Sequence, residues 1–169
     1  MDILPGTDPV VTVQLTTAAQ DLEWCAQLMA SNEPWITLQR SYDASLWLLQ
    51  DPVNHIFLFT QNGERIGFIL IKLKGSFTGY IQTIVFIEEV RSRGVGRKAI
   101  KYAEDFILKT TPNVFICVSS FNTRARKLYE DMGYELVGVL KDYIKNGFDE
   151  MLMRKTSGPL NDFGRRFID

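Results

Sequence analysis

Histidine and cysteine are nearly missing from this chain: one His55 and two cysteines, Cys25 and Cys117, in 169 residues. A lone imidazole without closely spaced thiols has no ligand set for a tetrahedral metal centre, so no metal is expected. His55, at the start of a β-rich run, reads as structural. One histidine cannot supply a serine triad either, and no G-x-S-x-G elbow is present. The cysteines lie far apart and no charged-then-apolar leader precedes Val10, which together suggest a reducing, cytoplasmic setting. No apolar stretch approaches the roughly 18 residues needed to span a bilayer, so no membrane partner is expected. An excess of one charge is also missing. With 19 Lys+Arg against 20 Asp+Glu, the net charge of −1 gives no global attraction to nucleic acid. Repeats, linkers and low-complexity tracts are absent as well. At 46% hydrophobic content the chain is read as one domain over 1–169, with a core of about 10–155 and a short tail, 156–169.

What the chain does have is a clear alternation of periodicities. Val10–Leu15 predicts a strand, and Thr17–Ala30 predicts a helix with Leu22, Cys25, Ala26 and Met29 at helical spacing. Ser31-Asn32-Glu33-Pro34 breaks it, and a second helix over Ser41–Gln50 (Tyr42, Leu46, Leu49) stops at Asp51-Pro52. His55–Thr60 and Arg65–Leu73 predict strands joined at Asn62-Gly63, the strongest short hairpin signal. Thr78–Ile87 predicts another strand. A helix from Gly94 to about Leu108 carries Val95, Ala99, Ile100, Ala103 and Ile107 on one side. Val114–Val118 is a continuous apolar run, as in a strand buried on both faces, so a strand–helix–strand crossover with parallel strands is expected. Asn122 caps a helix over Thr123–Met132 that ends at Gly133, and Tyr134–Ile144 and Phe148–Arg154 form a last strand pair. The class is α/β with a mixed sheet. Trp24, Trp35 and Trp47 are expected in the core, and Asp149-Glu150 is expected to protect a sheet edge.

The turn Arg91-Ser92-Arg93-Gly94-Val95-Gly96 stands where a strand gives way to a helix. A helix start leaves its first N–H groups unpaired at the positive end of the dipole, and glycine lets main chain approach an anion closely. Arg91, Arg93, Arg97, Lys98 and Lys101 add cationic charge, so a polyphosphate-bearing cofactor is indicated. Gly94-Val95-Gly96-Arg97-Lys98-Ala99 also fits G-x-G-x-x-A, but two features oppose a dinucleotide site. Glu88 to Arg93 intervene between strand and glycine, and no carboxylate stands in Val114–Val118, where the ribose would need one. No Gly-Lys-Ser/Thr follows either, which excludes a Walker-type loop.

A second segment, Asn122 to Tyr134, has the form N-x-x-A-x-x-L-Y-x-x-x-G-Y. Together with R-x-x-G-x-G upstream, over roughly residues 10–155, it resembles the GNAT superfamily of acyl-CoA N-acyltransferases. The resemblance implies a mixed, mostly antiparallel sheet with a splayed parallel strand pair and flanking helices. It implies acetyl-CoA as cosubstrate, held at its pyrophosphate by Arg91, Arg93, Gly94, Val95, Gly96 and Arg97 and along its pantetheine arm by main-chain groups of Ile84, Val85 and Phe86. A main-chain N–H near Phe86 would bind the oxyanion. Asn122 matches a position contacting the cofactor arm, and Tyr129 one that protonates the departing thiolate. The implied activity is direct attack of a primary amine on acetyl-CoA in a ternary complex; the alternative is a weakly catalytic acyl-CoA sensor or scaffold.

The proton acceptor is where the pattern departs. In the ribosomal-protein alanine acetyltransferases, a branch the motifs resemble, a glutamate stands five residues before the asparagine, and here that residue is Cys117. Mid-strand in an apolar run, Cys117 reads as a buried core thiol. The resemblance makes Glu33 the best-placed base, because its loop corresponds to one that lines the acceptor pocket, beside Trp35 and Gln82 as acceptor-site residues, while Gln82, Ser119 and Ser120 serve only to position water. The acceptor is a small-molecule or peptide amine whose identity is open. A homodimer through an exposed sheet edge or the tail from Ser157 is equally open.

Overall fold

Asn62 and Gly63 both take positive φ, 53° and 84°, the mirror-image turn whose twist matches that of paired strands. In a computed structural model, which describes residues 1–91 and 93–163, that turn joins β3 (Asn54–Gln61) to β4 (Glu64–Lys72). The described chain divides into two units, Met1–Ile71 with Gln82–Ala103 and Lys72–Ile81 with Glu104–Asp169. β5 (Tyr80–Phe86) and α3 (Val95–Ile107) each run from one unit into the other along the chain.

In the first unit the strands lie in the order β1-β2-β3-β4-β5. β2 (Val11–Leu15) pairs antiparallel with β3, Val11 opposite Gln61 and Leu15 opposite Phe57. The first expected strand, Val10–Leu15, is preceded by another. Asp2–Leu4 forms β1, antiparallel to β2, because Leu4 opposite Val11 buries an apolar pair at the end of the sheet. Helix α1 (Ala19–Ala30) turns Leu22, Cys25, Ala26 and Met29 inward as their spacing predicts. They join Leu48 and Leu49 of α2 (Tyr42–Leu49) and Ile56, Leu58, Phe68, Leu70 and Val85 of the strands in one apolar cluster. Burying each large side chain there contributes roughly 1.5–3 kcal/mol. Asp21 is buried at the start of α1 with its charge satisfied: Arg65 Nη2 lies 2.7 Å away and Thr16 Oγ1 donates at 2.6 Å.

Trp24 and Trp35 pack, partly buried, against this cluster as expected. Trp47 does not. It is 78% exposed, because the inward face of α2 is taken by Ser45, Leu48 and Leu49.

In the second unit the start of β5 lies beside β6 (Asn113–Ser119), followed by β8 (Phe148–Thr156) and then β7 (Glu135–Lys145). Tyr80 opposite Phe115 and Ile81 opposite Ile116 form the expected parallel pairing, whereas β6–β8 and β8–β7 are antiparallel. The fold is thus α/β with a mixed, mostly antiparallel sheet and flanking helices. β8 is an interior strand, which corrects the reading of Asp149-Glu150 as edge protection: Glu150 is 3% exposed, opposite Ser119 on one side and Leu140 on the other. Cys117 is also corrected, from buried to half-buried, since it lies on the face of β6 that keeps some exposure. Glu104, fully buried on α3, accepts from Lys155 Nζ of β8 at both carboxylate oxygens, at 3.0 and 2.9 Å. Helix α4 (Thr123–Asp131) follows β6, and the tail forms one turn, α5 (Leu160–Phe163). The rest of the tail, 164–169, lies outside the described residues.

Candidate active site

Gly94 holds φ at 79°, a conformation that side chains resist, so the turn before α3 demands glycine there for the backbone alone. Gly96 differs. Its φ is ordinary and a Cβ built on it would meet nothing within 4 Å, so neither strain nor packing inside the protein accounts for it. Bare main chain facing open space at a helix start is what a phosphate can approach. Among the described residues the first helical bond runs from Lys98 N to Gly94 O at 3.2 Å, and the N–H groups ahead of it have no helical acceptor there. Arg93 and Arg97 are exposed beside them.

Arg91 is used differently from the free guanidinium the sequence suggests. Its Nε donates to Phe86 O at 2.9 Å and its Nη2 to Asn32 Oδ1, so it braces the turn against the end of β5 and the break after α1. Lys98 Nζ likewise donates to Gly6 O. The described charge facing outward from the start of α3 is therefore carried chiefly by Arg93 and Arg97.

Arg91 also brings the glycine turn and the Glu33 segment together within the first unit. Glu33 itself is exposed, and both of its oxygens accept from Thr37, from the backbone N at 3.2 Å and from Oγ1 at 3.0 Å. Locally it caps the turn that follows. Trp35 is half-buried against the apolar cluster, and Gln82 and Ile84 are half-buried on β5, alternating with buried Thr83 and Val85. Phe86 is buried with its ring edge-on to Phe59, centroids 5.2 Å apart.

The second unit holds the other predicted residues. Asn122 caps α4 as expected, its Oδ1 accepting from Ala125 N at 3.2 Å, and its own N–H donates to Ser119 O at 2.8 Å. Tyr129 is 5% exposed, its ring 6.0 Å from that of Tyr134, and burial pushes its phenol above the ordinary tyrosine range. It is therefore held protonated, as an acid must be.

A polar group that sequence reasoning missed lies on β6 and β8. Ser119 Oγ donates to Glu150 Oε1 at 2.5 Å, both residues buried, and burial raises the Glu150 carboxyl above the usual carboxylate range while the Ser119 bond opposes the rise. Burial also raises the Cys117 thiol, which its hydrogen bond with Tyr80 lowers and the nearby Glu150 raises. The one signal available beforehand was a carboxylate set directly against the apolar run Met151-Leu152-Met153.

Residues 17–134 match the model of the acetyltransferase (GNAT) family. N-alpha-acetyltransferase RimI of Mycobacterium tuberculosis is 29% identical over 160 residues, which cover 90% of this chain and 96% of that protein. Among solved structures, the ribosomal-protein-S18-alanine N-acetyltransferase from Escherichia coli shares the fold with a TM-score of 0.69 at 19% identity, over 88% of this chain and 95% of that one. An aminoglycoside 6'-N-acetyltransferase complexed with coenzyme A does so with a TM-score of 0.70 at 16% identity, over 88% and 98%.

Proposed function

The chain belongs to the acetyltransferase (GNAT) family and is an acetyltransferase, and we propose that it moves the acetyl group of acetyl-CoA to the α-amino group of a peptide or protein N-terminus by direct attack in a ternary complex. The observation that carries this reading is the nearly end-to-end likeness to an N-alpha-acetyltransferase. A likeness that covers both chains almost completely includes the segments that choose an acceptor.

The donor's pyrophosphate is held at the start of α3 by main-chain N–H groups around Gly94, Val95 and Gly96 and by Arg93 and Arg97, with Arg91 fixing the turn. Helix dipole, bare glycine and arginine forks all favour the same charge there. Main-chain groups of Ile84, Val85 and Phe86 bind the pantetheine arm as an added strand would. An N–H near Phe86 meets the oxyanion, and Asn122, already a cap through its oxygen, has its amide nitrogen left for the cofactor arm. Tyr129 donates its proton to the departing thiolate. Glu33, Trp35 and Gln82 line the acceptor side, Glu33 attracting the ammonium and Trp35 packing against the peptide.

The test is thiol release from acetyl-CoA with free hexapeptides that differ in their first residue, alanine included, and with spermidine and an aminoglycoside as rival acceptors. Peptides are expected to support turnover. Tyr129→Phe should lower kcat by roughly 100-fold while coenzyme A affinity by calorimetry is unchanged; an unaltered kcat removes the acid role. Coenzyme A binding without thiol release from any amine would favour an acyl-CoA sensor or scaffold instead.

A further inference from the structure

Side chains on β6 alternate, so Phe115, Cys117 and Ser119 project from one face and Val114, Ile116 and Val118 from the other. The second set is buried, and the first includes the two β6 residues that keep some exposure, Phe115 and Cys117. Register continues that more open face onto the neighbouring strands: Tyr80 stands opposite Phe115, Leu152 opposite Cys117 and Glu150 opposite Ser119. A row of polar groups therefore crosses β5, β6 and β8 on one face within the second unit. Tyr80 is hydrogen-bonded to the Cys117 thiol, and Ser119 Oγ is 2.5 Å from Glu150 Oε1.

Glu150 is the unusual member. A carboxylate that is 3% exposed and has no cation paired with it among the described residues is costly to keep ionised, and one neutral hydroxyl repays only part of that cost. Burial holds Tyr80 and Cys117 protonated, since it raises both. Glu150 is thus the acidic group of this row, and burial, which raises its affinity for protons, suits it to accept one.

We propose that Glu150 is the proton acceptor of the acetyl transfer, taking the acceptor's ammonium proton through the Ser119 hydroxyl. This rests on the acetyltransferase reading above. The ammonium N–H gives its proton to Ser119 Oγ as the Ser119 proton passes to Glu150 Oε1, leaving a neutral amine and a neutral carboxyl. The amine nitrogen then bonds to the acetyl carbon and the carbon–sulfur bond breaks. The thiolate takes a proton from Tyr129, which regains one from the nitrogen as the amide forms. Glu150 returns its proton to solvent, so the sum is one amide, one thiol and one proton released.

The test compares the full-length protein with Glu150→Gln and Ser119→Ala, using acetyl-CoA and an alanine-initiated hexapeptide between pH 6 and pH 9.5. Glutamine keeps an oxygen to accept from Ser119, so the fold by circular dichroism and the coenzyme A affinity by calorimetry should be unchanged. Glu150→Gln should lower kcat/KM roughly 100-fold at pH 7. The deficit should shrink below about tenfold near pH 9, where a peptide amine with a reference pKa of about 7.7–8.0 is already free. Ser119→Ala should show the same narrowing. A deficit that stays constant with pH means a structural role and overturns the proposal, as does a variant equal to the parent. A parent that binds coenzyme A but leaves the peptide unacetylated overturns the acceptor reading and this proposal together, whereas an active parent with an unaffected Glu150→Gln variant overturns this proposal alone.

Discussion

Gly94 at φ 79° and Gly96 in ordinary helical backbone respond to alanine in opposite ways. Gly94→Ala forces a side chain into left-handed backbone and should destabilise the protein by about 1–2 kcal/mol in a denaturant titration. Gly96→Ala meets open space and favours helix, so it should stabilise by up to about 0.5–1 kcal/mol. If the space serves a phosphate, the same methyl group should weaken coenzyme A binding roughly tenfold by calorimetry, a loss of affinity without a loss of stability. Glu150 makes a second prediction at this scale. Its folded-state pKa is raised, so the stability linked to it is present below the ordinary glutamate range and is lost as pH rises through the raised value. Glu150→Gln should therefore melt higher than the parent at pH 8 and level with it at pH 4, and a lower melting point at pH 8 would contradict the burial argument. Asn122 was legible as a cap because the N–H that donates to it, that of Ala125, lies three residues away. Glu150 was not, because Ser119 reaches it only through strand pairing across 31 positions.

Ion pairs show how elements differ in what they gain from charge. Lys155 on β8 and Glu104 on α3 meet in the second unit with the glutamate 1% exposed, whereas Arg126 and Glu130 face solvent one turn apart on α4. Lys155→Met would leave a buried carboxylate without its cation, and the expected cost is about 3–5 kcal/mol by chemical denaturation. Arg126→Ala should cost no more than about 0.5 kcal/mol. Comparable losses in the two variants would mean that Glu104 is less shielded than its burial indicates. Most elements were readable from periodicity: α1, α2, α3 and the Asn62-Gly63 hairpin lie within a few residues of expectation, since helix stripes, caps and turn residues act locally. β1 was missed because three residues carry too little alternation, and its pairing with β2 is a long-range gain. Trp47 was misplaced for a related reason: α2 is apolar around much of its circumference, so its pattern does not say which face the rest of the unit covers.

For the whole molecule, the near-zero net charge makes the cationic start of α3 a local feature, so coenzyme A rather than a polyanion is the ligand to test. We retain 1–169 as one domain as a proposal. β4, β5 and α3 each pass along the chain from one unit into the other, and an element that unfolds at one end loses support at the other. Thermal unfolding followed by calorimetry and by tryptophan fluorescence should give one coincident transition; two resolved transitions would divide the domain. By itself the sequence determined the order of helices and strands from β2 to β8, the glycine turn before α3, the cap and tyrosine of α4 and the family. All of these follow from short-range spacing and backbone chemistry. Only the tertiary structure decided that β8 lies between β6 and β7, that Arg91 is a brace, and that Glu150 is buried on the same face as Tyr80 and Cys117. Each of those depends on which strands pair and in what register, and pairing is set by the packing of distant segments.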